Sequence, residues 1–227
     1  MEHKHKKLDL ELSDLRAKLN QMGTVVIEQM ERALGCLNDH DVRGTRVIVE
    51  RDLNVNRLDI DLEEMCLQFL ALHQPVAGDL RLVTTVMKIA TELERIGDRL
   101  VDVCGAVHER SDRDSIEFHN ELARIGALAI AMVRDSLLAF SQADTALAHG
   151  VFRKDREFDA LFSDVFSRLM ASPKESAKTE HETRLAFLSK DLNEIAEHAT
   201  NIAEAVTFMV EGKEITHMDL HERRAAR

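Results

Sequence analysis

Two carboxylates four residues apart, Glu94 and Asp98 in the stretch ATELERIGDRLVDV, are the first residues with a capacity for chemistry. On one helix their Cβ atoms lie about 5–6 Å apart, close enough to repel unless something positive sits between them. Counting about 100° per residue, Glu94 falls among the positions that flank an apolar arc, beside Ala90, Gly97 and Val101, and Asp98 lies just outside it. A carboxylate on a packed seam must meet a cation, pair with arginine or be protonated, because an unpaired buried charge is too costly.

One helix earlier stand Asp52, Asn56 and Asp59, and further on Asp155 and Asp159 form another four-residue pair, so neighbouring helices can present oxygen ligands together. Oxygen-only sets suit hard cations such as magnesium, calcium, manganese or ferric iron rather than zinc or copper. The competing reading is ion pairing with Arg95, Arg99 or arginines of an adjacent helix. A di-iron oxidase of the ferritin class would want inward Glu-x-x-His motifs. The one match, Glu214 to His217, lies in the C-terminal tail, where His217 and His221 are expected on a frayed end. The chain carries no Gly-rich phosphate loop, GxSxG, HExxH or CxxC, so nucleotide hydrolysis and nucleophilic catalysis have no visible machinery.

The elements that position these carboxylates are helices. Two prolines in 227 residues, with no tryptophan or tyrosine and abundant Leu, Ala, Glu and Arg, predict an all-α fold. Leu82, Val86, Ile89, Leu93, Ile96, Leu100, Val103 and Val107 alternate steps of four and three, one continuous helix face. Val55, Leu58, Leu62, Met65 and Phe69 do the same one segment earlier, and Phe158, Phe162, Val165, Phe166 and Leu169 form a broad stripe read as core. The pattern predicts helices over 8–40, 42–73, 76–110, 115–143, 145–171 and 174–211. Asp41 and Asp144 are suited to cap the helices after them, Ser172-Pro173 to start the sixth, and Gln74-Pro75 to open the third. His40, His73, His108 and His149, near helix termini, are read as structural partners of free carbonyls.

With 41 acidic against 30 basic residues the net charge is −11, which disfavours a grip on nucleic acid. Cys36, Cys66 and Cys104 are widely spaced in apolar contexts and read as buried thiols in a reducing compartment. The longest nearly uninterrupted apolar run, Gly126 to Val133, is far shorter than the ~20 residues of a membrane span, and the N-terminus lacks an apolar leader; a chain neither exported nor membrane-integral is expected.

An internal repeat organises the whole. Met22-Gly23, Asp41, Asp52 and Leu58 recur 103 residues later as Ile125-Gly126, Asp144, Asp155 and Leu161. After a four-residue gap, Leu93, Ile96, Val103 and Val107 recur 99 residues later as Leu192, Ile195, Ile202 and Val206. The reading is two tandem three-helix bundles of long antiparallel helices, 1–110 and 111–227, closely coupled and either separate or end to end.

The repeat, DLNVNRL at 52–58, QPVAGDLRLV at 74–83, ELERIGDR at 92–99 and NIAEAVTFMVEGKEITH at 201–217 together resemble the PhoU family of phosphate-regulatory proteins over nearly the whole chain. The resemblance implies a cytoplasmic, non-enzymatic, frequently homodimeric negative regulator. Its implied partners are the ATPase subunit of the phosphate ABC transporter and the phosphate-sensing histidine kinase, with membrane association only indirect. It also implies E/D-x-x-x-D motifs that hold multinuclear iron or another hard cation such as manganese or magnesium, zinc less readily. These fall on Glu94 with Asp98, and Asp155 with Asp159 fits the same pattern on the preceding helix of the second repeat; Asp52 and Glu197 complete the candidate ligands. The second motif reads DLNEIAEH, so Asn193 stands opposite Glu94 and Glu197 opposite Asp98. One lost negative charge predicts a weaker second site and unequal occupancy of the two halves. A metal-dependent helical-bundle enzyme and a generic helical scaffold are the alternatives.

Overall fold

The computed structural model describes residues 2–39, 41–108, 116–171 and 176–213, with side chains described for 6–39, 41–105, 120–171, 183 and 185–213. Among the described residues every element is a helix: α1 (Glu2–Asp39), α2 (Val42–His73), α3 (Ala77–His108), α4 (Ile116–Gln142), α5 (Thr145–Ala171) and α6 (Ser176–Glu211). The all-α expectation holds, and the boundaries fall within a few residues of those read from periodicity. The largest difference is α1, which starts at Glu2 rather than residue 8. The lysine-rich start is a good helix former, and Lys7 pairs with Glu11 one turn on at 3.6 Å.

Asp41 and Asp144 cap as expected. Asp41 Oδ1 accepts from the backbone N–H groups of Arg43 and Gly44, and Asp144 Oδ1 from those of Ala146 and Leu147. The Ser172-Pro173 start lies outside the described residues. Gln74-Pro75 behaves otherwise than expected: Gln74 is left-handed (φ 46°), caps α2 by donating its N–H to Leu70 O, and α3 begins only at Ala77. Proline cannot continue α2, so the chain reverses before the next helix starts.

The predicted faces are inside. Leu82 through Val103 of α3, Val55, Leu58, Leu62 and Phe69 of α2, and Phe158, Val165 and Leu169 of α5 are buried, with Met65, Phe162 and Phe166 half-buried beside them. Phe158, Phe162 and Phe166 stack in a row. The three thiols are free and buried, and burial pushes those of Cys66 and Cys104 up to about 12.

The two three-helix bundles lie side by side, not end to end. Among the described residues α3 and α6 share the broadest contact, α1 rests on α4, and α2 and α5 make their main contacts within their own bundles, on the outside. Across the α1–α4 crossing a Cβ on Gly23 would stand 2.7 Å from Leu137, and one on Gly126 2.8 Å from Leu34. Gly23 and Gly126, like Leu34 and Leu137, differ by 103, so the same notch is made twice. Glu31 and Arg134, again 103 apart, pair with each other. A pseudo-two-fold axis therefore relates the repeats.

Candidate metal centre

The first-repeat carboxylates meet on the face that α2 presents to α3. Gly97 makes the approach possible: a Cβ there would stand 2.8 Å from Asp52 Oδ1 and 3.5 Å from Val55. Asp52 is thereby buried (9% exposed), with Asn56 and Asp59 half-buried one and two turns on. Opposite, on α3, Glu94 is half-buried and Asp98 exposed, the order that helical periodicity predicted.

The charges of the group act on one another. Burial, then the neighbouring charge of Asp98, raises the Asp52 carboxyl, against a weak opposing bond from Asn56 Nδ2 at 3.4 Å. Glu94 is raised by burial and then by Asp98, Asp59 and Asp52, with Arg95 opposing. Asp59 is raised by burial and by Glu63. Three carboxyls raised first by burial and then by neighbouring acidic charge make a site where a cation would be stabilised.

The residues present offer such a cation free oxygen: Asp52 Oδ1 and Asn56 Oδ1 are buried and, among the described residues, accept no hydrogen bond. As the side chains stand, no three acidic, histidine or cysteine side chains among the described residues already converge as a ligand set. Glu94 and Asp98 would have to turn toward Asp52, which like charges do only around a cation that neutralises them.

The arginines proposed as competitors are engaged elsewhere. Arg95 donates to Glu92 Oε1 at 3.4 Å, and Arg99 lies 2.8 Å from Asp102, 3.7 Å from Asp191 and 3.5 Å from Glu194. Neither Glu94 nor Asp98 has a salt bridge among the described residues.

The second repeat is arranged differently. Asp155 is buried like its mate Asp52, but Asp159 and Glu197 are exposed, and Asn193 Nδ2 donates to Glu197 Oε1 at 2.7 Å. The amide thus occupies the very carboxylate that the motif would offer. His217 and His221 lie outside the described residues, as does His40. His73 does not serve helix carbonyls: its Nε2 lies 2.5 Å from Glu11 Oε2 of α1 and its ring 4.7 Å from that of Phe69. His149 meets Phe152 edge-on.

A buried polar cluster on the α3–α6 seam escaped the sequence reading. Glu92 is 5% exposed and accepts from His198 Nδ1 at 2.7 Å and Asn201 Nδ2 at 3.0 Å. Burial would raise its carboxyl, but these bonds, with the charges of His198 and Arg95, hold it below its usual value. Its repeat mate Asp191 faces Arg99, yet burial and then Asp102 push it up to about 6. The signal was available, since Glu92 and Asp191, like Arg99 and His198, differ by 99.

Comparison with known proteins decides the family. The family described as PhoU domain matches the chain twice, over residues 19–107 and 122–206. The chain belongs to the PhoU family. Among relatives, the "Phosphate-specific transport system accessory protein PhoU homolog" of Pseudomonas aeruginosa is 30% identical over 223 residues, 96% of this chain and 91% of the relative. The "Phosphate-specific transport system accessory protein PhoU" of Escherichia coli K12 is 29% identical over 92% of this chain and 87% of its own length. The crystal structure of PhoU from Pseudomonas aeruginosa superposes with a TM-score of 0.86 at 30% identity, covering 90% of this chain and 99% of that one. The regulatory protein PhoU from Streptococcus pneumoniae gives 0.85 at 26% identity, covering 92% and 99%. These PhoU relatives are named accessory or regulatory proteins, not enzymes. No helix among the described residues is long and apolar enough to cross a membrane.

Proposed function

We propose that this PhoU-family chain is a cytoplasmic accessory protein of phosphate transport that restrains uptake and the starvation response when phosphate is plentiful. It acts on the ATPase subunit of the phosphate ABC transporter and on the phosphate-sensing histidine kinase, meets the membrane only through them, and pairs with a second copy of itself. The observation that carries this reading is the double family match over most of the chain, with relatives of near-equal length named for the phosphate-specific transport system. The absence of any paired nucleophile and base in the sequence favours an adaptor over a bundle-class metalloenzyme.

The first-repeat set of Asp52, Asp59, Glu94 and Asp98, with Asn56 Oδ1, would hold a hard cation, iron or alternatively manganese or magnesium. When bound, the cation supplies neutralising charge between α2 and α3. The chain's part is to present unused oxygens beneath Gly97 and to keep Arg95 and Arg99 away from them. A generic scaffold leaves that arrangement without a purpose. In the second repeat Asp155, Asp159 and Glu197 would bind more weakly, because Asn193 removes a charge and engages Glu197.

Deleting the gene should derepress a phosphate-starvation promoter in phosphate-rich medium. Glu94→Gln/Asp98→Asn should leave helicity intact while abolishing iron or manganese binding to the first repeat in titration, and the same promoter then reports whether the acidic pair is needed. A silent deletion would overturn the regulatory reading, equal occupancy of the two repeats the asymmetry, and an unfolded double variant would return the pair to a structural role.

A further inference from the structure

Six of the large apolar side chains left in water stand on α2, and all but Leu72 share one line along it. Val42, Val49, Leu53, Ile60 and Leu67 of α2 are between 39% and 71% exposed. At about 100° per residue they fall within about 20° of a single line along the helix, a stripe ~37 Å long. It runs opposite the face that buries Ile48, Val55, Leu62 and Phe69. The fold does not require all of it: α5 holds the equivalent place in the second bundle and carries Thr145, Arg156 and Ser163 where α2 has Val42, Leu53 and Ile60, while Phe152, which is buried, and Met170 stand for Val49 and Leu67. Five large apolar side chains aligned on one exposed face, interrupted only by Arg46, Asn56 and Glu63, make a surface suited to a partner.

We infer that this stripe is the seam on which a second copy of the chain docks, α2 against α2 in antiparallel orientation about a two-fold axis. This rests on the expectation of a pair stated above and adds its face, direction and register. The stripe and the residues between its members read Val42, Arg46, Val49, Leu53, Asn56, Ile60, Glu63, Leu67, alternating steps of four and three as in a coiled-coil seam. Reversing α2 on itself so that facing residue numbers sum to 109 sets Val42 on Leu67, Val49 on Ile60, Leu53 on Asn56 and Arg46 on Glu63. The Val42–Leu67 and Val49–Ile60 layers are then apolar and the Arg46–Glu63 layer oppositely charged, while each Leu53 covers the outer edge of a half-buried Asn56 whose Oδ1 stays turned toward α3.

The flank agrees independently. Arg43, Glu50, Arg57 and Glu64, all exposed and seven residues apart, alternate in sign along one edge of the stripe. In an antiparallel pair that edge faces itself, so Arg43 meets Glu64 and Glu50 meets Arg57, each pair twice by symmetry. A parallel pair would instead set Arg46 on Arg46 and Glu63 on Glu63. The opposite flank carries Asp52 and Asp59, whose burial against α3 turns them from the seam. A helix pair of this length with charged edges approaches the ~800 Å² per partner of a standard interface.

Sedimentation velocity on the full chain should give twice the 25.7 kDa of one copy, and Leu53→Glu/Ile60→Glu should halve that mass without changing far-UV circular dichroism. Arg57→Glu should weaken association roughly tenfold or more, and Glu50→Arg/Arg57→Glu should restore it, a rescue that a misfolded variant cannot give. With a bismaleimide linker, Val42→Cys mixed with Leu67→Cys should cross-link and neither alone should. A monomeric wild type, a Leu53→Glu/Ile60→Glu variant that stays dimeric, self-cross-linking of Val42→Cys, or dimerisation only after removal of residues 214–227 would each overturn the proposal. The last would make the chain's own tail the occupant. None of these readouts involves phosphate or a cation, so their failure leaves the regulatory reading standing.

Discussion

Asp191 shows how one position can cost the fold in one repeat what it gives in the other. Its mate Glu92 is satisfied by His198 and Asn201, whereas Asp191 meets Arg99 together with Asp102 and Glu194, and its carboxyl rises to about 6. A carboxyl whose folded pKa lies above its unfolded value favours the fold while protonated, and that contribution is lost as pH climbs from about 4 through about 6. Asp191→Asn should therefore stabilise the chain by about 1–2 kcal/mol near neutral pH, the gain fading toward about pH 4; urea unfolding at the two ends of that window checks it. At this scale the sequence placed Glu94 on the seam correctly, because the 3.6-residue period fixes which side of a helix a residue takes. It could not place Glu92 and His198 in contact, because their separation of 106 residues is bridged only by the register of α3 on α6.

The helices themselves were legible almost to their ends, since long amphipathic stripes and aspartate caps are local signals. What was not legible was the chain reversal at Gln74, where the rule for proline in a first turn competed with the capping needs of the preceding helix. A similar local strain ends α4. Ala143 is left-handed (φ 51°), donates to Phe140 O at 3.2 Å, and is followed by Asp144 donating to Ala139 O at 3.0 Å, a termination that ordinarily uses glycine. A Cβ in that conformation costs about 1–2 kcal/mol, partly offset by the unfolded-state freedom that glycine adds. Ala143→Gly should thus raise stability by about 0.5–1 kcal/mol, read as an upward shift in thermal midpoint with helicity unchanged.

At the scale of the molecule, the repeat was plain in the sequence but its packing was not, because the 103- and 99-residue offsets say which residues correspond, not which touch. The α1–α4 notches supply the missing contact. Gly23→Val should destabilise the chain by about 1–3 kcal/mol through overpacking against Leu137, and adding Leu137→Ala should recover part of that loss beyond additivity in a double-mutant cycle. The seam between the halves carries a further implication. Glu92 lies across from the place occupied by His198, and the residue at the corresponding place in the first half is Arg99. One half-length chain thus holds both members of the ion pair that would join it to an identical half. The connection between α3 and α4 turns what would be a concentration-dependent encounter of two such halves into an event within one molecule, at an effective concentration of order millimolar. Once tethered, the halves were free to diverge, and they have: an apolar outer stripe and unused oxygens of Asp52 and Asn56 stand in one, a more polar outer face and an Asn193–Glu197 bond in the other.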